Sequence, residues 1–266
     1  MVTETNAALQ PAIVVTGASS GLGQAIARLA AREGVFLLLV GRERAALDAL
    51  ISELAASGTH AAALAIDLTS PGAVDAVEGA LTARGLYCDV LVNSAGFGVY
   101  GPAAQVSRAE QLDLLDVNIR ALTDLTLRFL PKMLARGRGG VLNLGSITGY
   151  APGPNMAVYY ASKAYVNSFS AALAAEVAGS GVTVTCLAPG VVRTPFFERC
   201  SVGQTWLMKL MPRSNPADTA EAGWRGFKAG KPMVVPRPID QFSILVCKLL
   251  PAHAITRFVA TLQRPR

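Results

Sequence analysis

The chain has 266 residues, of which 52% are hydrophobic and 16% are charged, and it carries a net charge of +6. This composition excludes an intrinsically disordered protein and favours one large domain with a sizeable core. The sequence contains no run of about 18 apolar residues, so we expect no membrane-spanning helix. The N-terminus also lacks the layout of a signal peptide, and we therefore expect a cytoplasmic protein.

The cysteines and histidines argue against disulfides and a bound metal. The cysteines lie far apart without a CxxC pair, which predicts reduced thiols, and the histidines are too few and too scattered for a metal site. These residues are Cys88, Cys186, Cys200, Cys247, His60 and His253. The positive charge suits an anionic ligand such as a phosphorylated cofactor, or a solvated arginine-rich surface, and we predict no nucleic-acid partner.

The first predicted unit is a strand, a glycine turn and a helix. Residues 1–11 form a loose polar leader, 12–16 a buried strand and 16–23 the turn, and a helical pattern then continues to about Glu33. The turn does not follow the common Gly-x-Gly-x-x-Gly spacing. Glycines let the backbone approach a ligand, and a helix N-terminus offers unpaired amides and a positive dipole end. The order of these elements predicts a phosphate-binding site.

The end of the second predicted strand bears on the choice of cofactor. Residues 35–40 form a continuous apolar run, which is typical of a parallel strand covered on both faces. An acidic residue after this strand would bind a ribose 2′-hydroxyl, whereas an arginine suits a 2′-phosphate. Arg42, with Arg44 assisting, therefore favours NADP(H) over NAD(H). The alternative is a surface arginine at the start of a loop.

Strands and helices continue to alternate, with helices predicted near 44–57 and 70–84 and strands near 59–66 and 90–96. This pattern predicts βαβ units and a parallel sheet with helices on both faces. Ligands of such sheets bind outside the carboxyl ends of the strands. Glycine or polar residues fall at five predicted strand ends: Gly17, Arg42, Asp67, Asn93 and Ser146.

A long helical region over 107–136 contains Asn118 near its middle. Asparagine is a poor helix former, and its side chain can bond to a backbone group and distort the helix locally. The alternative is an exposed asparagine without a structural role.

The next candidate site follows a short predicted strand at 140–145, which ends at Ser146. In the helix that begins near Val158, Tyr159 and Lys163 share one face. An ammonium one turn away should lower the phenol pKa from its ordinary value of ~10, which would give a general acid/base near neutral pH. Ser146 would then hold a carbonyl oxygen by a hydrogen bond. The alternative is a helix with an exposed tyrosine and lysine.

With these motifs in order, the chain resembles the short-chain dehydrogenase/reductase family over about residues 12–195. The turn at 16–23 is similar to the family's cofactor turn, and 93–96 to its Asn-Asn-Ala-Gly motif, with Ser94 in place of the second asparagine. Pro189-Gly190 followed by Thr194 is similar to its nicotinamide-side segment. The catalytic tetrad is matched by Asn118, Ser146, Tyr159 and Lys163. Tyr160 does not match the catalytic tyrosine, because the residue four positions on is an alanine.

The resemblance implies a Rossmann-type, doubly wound parallel α/β sheet of about seven strands, and hydride transfer between NAD(P) and a carbonyl or alcohol. Tyr159 would deliver the proton, Lys163 would lower the phenol pKa and hold the nicotinamide ribose, Ser146 would polarise the carbonyl, and Asn118 would anchor a water. A homodimer or homotetramer is also implied. The predicted cofactor-binding residues are Gly17, Ser19, Ser20, Gly21, Leu22, Gly23, Arg42, Asp67, Leu68, Asn93, Ala95, Gly96, Tyr159, Lys163, Pro189, Gly190, Val192 and Thr194.

After a strand at 182–188 the pattern becomes irregular, and we predict a substrate lid over about 192–214. Aromatic residues and methionines give it an apolar, adaptable character: Phe196, Phe197, Trp206, Leu207, Met208, Leu210 and Met211. The alternative is a pair of helices packed on the core. Phe97, Tyr100 and Tyr150 are predicted to line the opposite wall, which indicates a hydrophobic substrate.

We assign residues 12–237 to one domain, with a helix at 216–229 and a last strand at 233–236, and 238–266 to an apolar helical extension broken at Pro251. This tail could pack on a partner subunit, extend the pocket or lie on a membrane surface. The leading hypothesis is an NADP(H)-dependent oxidoreductase that interconverts a hydrophobic ketone and a secondary alcohol, with a 3-oxoacyl thioester as first choice of substrate. The alternative is a non-catalytic NADP(H)-binding sensor or scaffold.

Overall fold

Seven parallel strands form one sheet in the order β3-β2-β1-β4-β5-β6-β7. The structure is a computed structural model that describes residues 9–196, 200, 205, 206, 209 and 211–264. The strands are β1 Gln10–Thr16, β2 Phe36–Gly41, β3 Ala61–Ala65, β4 Leu86–Asn93, β5 Gly139–Leu144, β6 Val182–Leu187 and β7 Met233–Val234. The predicted Rossmann-type sheet is confirmed.

The helices that alternate with the strands lie on both faces of the sheet. They are α1 Gly21–Ala30, α2 Arg44–Ala55, α3 Ala73–Thr82, α4 Arg108–Leu115, α5 Leu122–Arg136, α6 Ala157–Glu176, α7 Pro216–Lys228, α8 Pro238–Leu249 and α9 Ala252–Leu262. A π-helical segment, Asp116–Ala121, joins α4 to α5, and 3₁₀ turns occupy Ala31–Glu33 and Ile147–Tyr150.

The inner parts of β1 and β2 are continuously apolar because these strands are covered on both sides. In β1, Ala12 and Val14 enter a core layer beneath α3, α5 and α6, whereas Ile13 and Val15 enter the layer beneath α1, α2 and α7. Side chains of a strand alternate between its faces, so one short apolar run supplies both layers.

Several element boundaries differ from the sequence-based expectation. β1 begins at Gln10 rather than Ala12, since the Gln10 amide donates to the Gly85 carbonyl and so joins the sheet. β7 ends at Val234, two residues before Pro236, whose nitrogen has no hydrogen to donate. The predicted break in the C-terminal tail at Pro251 is confirmed.

None of the four cysteines forms a disulfide bond. Among the described residues, we find no helix with the length and apolar character needed to cross a bilayer. The same part of the chain holds no group of three or more histidine, cysteine, aspartate or glutamate side chains arranged to bind a metal ion.

Candidate active site

A cavity of about 750 Å³ opens at the carboxyl ends of the strands. Its walls come from the turns after β1, β2, β4 and β5, the start of α6, the segment after β6, and the C-terminal helices α8 and α9. In doubly wound sheets this edge is the usual place for a ligand. The predicted cofactor-binding residues on its wall are Gly17, Ser19, Ser20, Gly21, Leu22, Arg42, Asp67, Leu68, Ala95, Gly96, Tyr159, Lys163, Pro189, Gly190, Val192 and Thr194.

The turn after β1 requires glycine for steric reasons. Gly17 and Gly21 have φ values of +64° and +58°, which side chains rarely adopt, and a Cβ on Gly17 would lie 2.8 Å from the Ala95 backbone. A Cβ on Gly23 would lie 2.3 Å from the Gly17 carbonyl oxygen. Gly23 therefore supports the turn from behind the cavity wall, while the first amides of α1, which lack a side-chain cap, face the cavity.

Thr16 fastens this turn to the neighbouring one, a role that the sequence analysis missed. Its hydroxyl donates to the Val92 carbonyl at 3.2 Å and accepts from the amides of Ser94 and Ala95 at 3.0 and 3.1 Å. The signal available in the sequence was a threonine at the last position of a buried strand, directly before the glycines.

Two further strand ends contribute charge and support. Arg42 lies at the cavity wall with its guanidinium 3.9 Å from Asp67 and its side chain 63% exposed. The backbone amide and hydroxyl of Thr69 donate to Asp67 and hold the pKa of that carboxyl below its usual value. Asn93, by contrast, is buried beneath the sheet edge, where its amide donates to Thr126 and Asn143 at 3.0 and 2.9 Å. Asn93 does not line the cavity, and its side chain supports the strand ends from below; its contact with the cofactor stays a prediction.

Asn118 lies in the π-helical segment and is 1% exposed. Its amide oxygen accepts from the Phe97 amide at 3.1 Å, and its amide nitrogen donates to the Phe97 carbonyl and the Ser162 hydroxyl at 3.0 and 3.1 Å. The expectation of a local helix distortion with a backbone bond is confirmed. A π-bulge of this kind is frequent at functional sites, and here it fixes the loop after β4 against α6.

Replacing Asn118 with leucine should lower the free energy of unfolding by roughly 2–4 kcal/mol, because the partly buried amide and carbonyl of Phe97 and the buried hydroxyl of Ser162 would each lose a partner. Urea unfolding followed by circular dichroism measures this change. Asp116→Ala is the control, since Asp116 forms an ion pair with the exposed Arg120 in the same segment. An Asn118→Leu change as small as that of the control would contradict the bracing role.

The structure brings Ser146, Tyr159 and Lys163 onto one wall of the cavity. All three are at least nine-tenths buried. The Lys163 ammonium donates to the Leu144 carbonyl at 2.8 Å and lies 5.9 Å from the centre of the Tyr159 ring. The Ser146 hydroxyl donates to the Pro189 carbonyl at 3.4 Å and accepts from the Thr148 amide at 3.1 Å.

The predicted lowering of the Tyr159 pKa by Lys163 is not found. Burial raises the pKa of Tyr159 above its ordinary value, with the thiol of Cys200 acting in the same direction and the nearby hydroxyls of Ser146 and Thr148 opposing it. Burial also lowers the pKa of Lys163 to about 8, against an opposing effect of Cys186. The physical reason is that both groups share a desolvated environment, which disfavours the charged form of each.

The segment after β6 is tied to the start of α8, a connection that the sequence analysis did not predict. The Asp240 carboxylate, 3% exposed, accepts from the Gly190 amide at 3.2 Å and from the Arg237 guanidinium at 2.7 and 2.8 Å. Its sequence signal was an aspartate in the first turn of a helix that begins at Pro238, where a negative charge is favourable.

The other half of the cavity is apolar. It is lined by Phe97, Met156, Tyr160, Phe196, Met211, Ile244, Leu250, Phe258, Val259 and Leu262. The C-terminal tail was predicted to pack on a partner subunit, extend the pocket or lie on a membrane surface. Its helices α8 and α9 contribute residues to the cavity wall, so the tail extends the pocket. Among the predicted lid residues, Phe196 and Met211 line the cavity and Trp206 is exposed, while Phe197, Leu207, Met208 and Leu210 lie outside the described residues.

The two tyrosines predicted for the opposite wall, Tyr100 and Tyr150, do not line the cavity and make other contacts. Tyr100 donates its hydroxyl to the carbonyl of Gln263, a fully buried residue at the end of α9 whose amide in turn donates to the Tyr160 hydroxyl at 2.7 Å. The Tyr150 ring lies 5.6 Å from the Lys248 ammonium. Of the three predicted wall residues, Phe97 lines the cavity.

Comparison with known proteins places this architecture in a family. The model of the short chain dehydrogenase family matches residues 11–204. Galactitol 2-dehydrogenase (L-tagatose-forming) of Cereibacter sphaeroides is 39% identical over 216 residues, which cover 78% of this chain and 84% of that protein.

Two solved structures share the fold over nearly the whole chain. A short-chain dehydrogenase from Sphingobium yanoikuyae in complex with NADPH is 31% identical, with a TM-score of 0.78 and coverage of 91% of this chain and 96% of that one. The bulky-bulky ketone specific alcohol dehydrogenase from Comamonas testosteroni is 26% identical, with a TM-score of 0.73 and coverage of 92% and 96%. The chain therefore belongs to the short-chain dehydrogenase/reductase family of oxidoreductases.

Proposed function

We propose that the protein interconverts a hydrophobic ketone and its secondary alcohol with NADP(H) as the redox partner. The observation that carries this proposal is that Ser146, Tyr159 and Lys163 line the same cavity as the glycine turn. The side chains that would exchange the proton and the turn that would hold the dinucleotide therefore line one cavity. The Sphingobium yanoikuyae relative, which is in complex with NADPH, supports the choice of cofactor.

The cradle fits a dinucleotide for reasons internal to this chain. Side chains at Gly17 and Gly21 would be strained and would crowd Ala95 and Thr194, so the backbone stays open to a pyrophosphate at the N-terminus of α1. Pro189, Gly190 and Thr194 would flank the nicotinamide. When bound, the nicotinamide supplies or accepts the hydride.

The chain's own residues would manage the proton. A buried Tyr159 with a raised pKa keeps its proton at neutral pH, so it enters a ketone reduction in the acid form. The Ser146 hydroxyl lies on the same wall and would orient the carbonyl oxygen. Lys163 would stabilise the phenolate that remains after proton transfer and would hold the nicotinamide ribose.

The substrate proposed is a ketone with a large apolar group. Aromatic and aliphatic side chains from the loop after β4, the segment after β6 and the helices α8 and α9 form the wall beyond Tyr159. The Comamonas testosteroni relative, which is specific for bulky-bulky ketones, supports this class. Within the class, a 3-oxoacyl thioester is our first choice, because its acyl chain could follow the apolar wall and its thioester end could remain near the mouth.

A panel assay tests the proposal. NADPH absorbance is followed with a 3-oxoacyl thioester, a bulky diaryl ketone and a polar keto sugar, and the highest kcat/KM is expected for an apolar ketone. A preference for the keto sugar would contradict the substrate class. Tight NADPH binding without turnover across the panel would favour a sensor or scaffold instead.

Cofactor preference is tested separately at Arg42. The variant Arg42→Ala would lose the contact between the guanidinium and the 2′-phosphate. Its preference for NADPH over NADH should therefore be about 10- to 100-fold lower than that of wild type, which corresponds to roughly 1.5–3 kcal/mol for a charge-assisted hydrogen bond. Glu43 also lines the cavity, and its negative charge would repel a 2′-phosphate. The preference for NADPH over NADH would therefore depend on the positive charge of Arg42.

Arg44→Ala is the matched control for this experiment. Arg44 was predicted to assist Arg42, but it does not line the cavity, and it bonds to Asp48 at 2.8 Å one helical turn away, so its guanidinium is already engaged. The control should change the preference by less than about threefold. An unchanged preference in Arg42→Ala, measured as the ratio of kcat/KM values, would refute the 2′-phosphate assignment.

We also propose a homo-oligomer, as the family resemblance implies. The outer face of α4, α5 and α6 supports it, because large apolar side chains are exposed there: Leu112, Leu127, Leu134 and Tyr165. Such a face is better covered than left in water.

A further inference from the structure

The helices α8 and α9 expose a cluster of large apolar side chains that extends beyond the wall of the cavity. Six of the twelve exposed large hydrophobic residues of the described chain fall between positions 239 and 258. We name them the C-terminal apolar face: Ile239, Phe242, Leu245, Leu249, Leu250 and Phe258. Phe242, Leu249 and Phe258 are 61%, 74% and 62% exposed, so they project into solvent rather than forming the edge of a core.

This face is also the rim of the cavity. Phe242 and Phe258 line the cavity although more than half of each residue is exposed. Leu250 also lines the cavity and is half exposed. Leu245 and Leu249 continue the same apolar surface outward from the rim. The C-terminal apolar face therefore shares residues with the lining of the cavity that contains Tyr159.

The charges around this face have one sign. Residues 241–266 contain one lysine, three arginines and no aspartate or glutamate. Lys248, Arg257 and Arg264 are exposed in the structure. The nearest acidic residue along the chain, Asp240, is buried and paired with Arg237, so it does not offset them.

We propose that α8 and α9 dock on the surface of an anionic bilayer and that the cavity opens toward that surface. Exposed apolar side chains flanked by cations are the composition of helices that lie in a membrane interface. Each lysine or arginine near an anionic surface adds about 1 kcal/mol of attraction. A second copy of the chain is a poorer occupant, because a twofold contact would bring the same cations together. The delivery of substrate from the bilayer rests on the proposed function, whereas the docking itself does not.

Co-sedimentation of the full chain with vesicles tests the docking. Wild-type protein should sediment with mixed phosphatidylcholine–phosphatidylglycerol vesicles and at least about tenfold more weakly with phosphatidylcholine alone. The double variant Leu245→Ser, Leu249→Ser should bind the mixed vesicles at least about tenfold more weakly. So should Arg257→Glu. Leu245 and Leu249 do not line the cavity, so the double variant should still turn over a water-soluble ketone at the wild-type rate.

The matched control is Leu9→Ser with Arg84→Glu. Leu9 is 55% exposed and Arg84 is exposed, and both lie at the opposite, amino-terminal edge of the sheet. Equal vesicle binding by wild type and the double variant, or an equal loss in the control, would overturn the proposal. A third result would also overturn it: wild type does not bind vesicles, and light scattering shows a smaller oligomer for the double variant than for wild type. The face would then be a contact between subunits. Vesicle binding without turnover of any ketone would leave the docking intact and remove the proposed function.

Discussion

Tyr159→Phe should lose ketone reduction by a factor of about 10²–10⁴ in kcat while keeping the fold and the affinity for NADPH. The substitution removes only the hydroxyl, and the ring keeps its packing against Phe196, at 5.4 Å between ring centres. The loss is expected in kcat because proton delivery belongs to the chemical step rather than to binding. Steady-state kinetics at saturating NADPH, together with a fluorescence titration of the cofactor, separates the two effects.

Tyr160→Phe is the matched control, because the neighbouring residue loses the same hydroxyl. That hydroxyl accepts from Gln263, and the ring lies at the apolar end of the cavity. We expect the control to alter KM more than kcat, since it loosens the end of α9 without touching the proton path. If Tyr159→Phe turned over the ketone as fast as wild type, the assignment of the proton donor would be wrong.

Lys163→Met should abolish most of the activity and stabilise the cofactor-free protein. The Lys163 ammonium is buried, and within the described part of the chain it forms no ion pair with a carboxylate. A pKa lowered from 10.5 to about 8 corresponds to a burial cost of about 3 kcal/mol. Methionine removes that cost but leaves the Leu144 carbonyl without its donor, so we expect a net gain of roughly 1–3 kcal/mol at neutral pH.

The pH dependence provides a second readout for Lys163. Below pH 8 the amine is charged in the folded and the unfolded chain, and the full cost is present. Between about pH 8 and 10.5 the unfolded chain binds the extra proton, so the stability of wild type should rise relative to Lys163→Met and the gap should close. Comparing the two proteins cancels the titration of groups that they share.

Urea unfolding without cofactor measures both effects. Lys132→Met is the control, because Lys132 is 53% exposed and paired with Glu78, and its removal should change stability by less than about 1 kcal/mol. A Lys163→Met protein less stable than wild type at pH 7, or a gap that does not change with pH, would contradict the account of a buried, unpaired ammonium.

The features that could be predicted from the sequence are those set by local pattern. Apolar runs with glycine turns predicted the sheet and its ligand-binding edge, and the i, i+4 spacing predicted that Tyr159 and Lys163 share one face of a helix. A mid-helix asparagine was enough to predict the distortion now seen as a π-helical segment at Asp116–Ala121.

The features that escaped prediction depend on contacts distant in sequence. The side chain of Asn93 turned under the sheet because Thr126 and Asn143 provide its partners there. The pKa of Tyr159 lies above its ordinary value because the side chain is buried, and the spacing does not reveal that burial. The link between Gly190 and Asp240 joins residues 50 positions apart, and no periodic pattern records it.

That link joins the first turn of α8 to the segment predicted to flank the nicotinamide. An outward displacement of α8 would therefore have to break a charge-assisted hydrogen bond, so the width of the mouth and the position of that segment would be coupled.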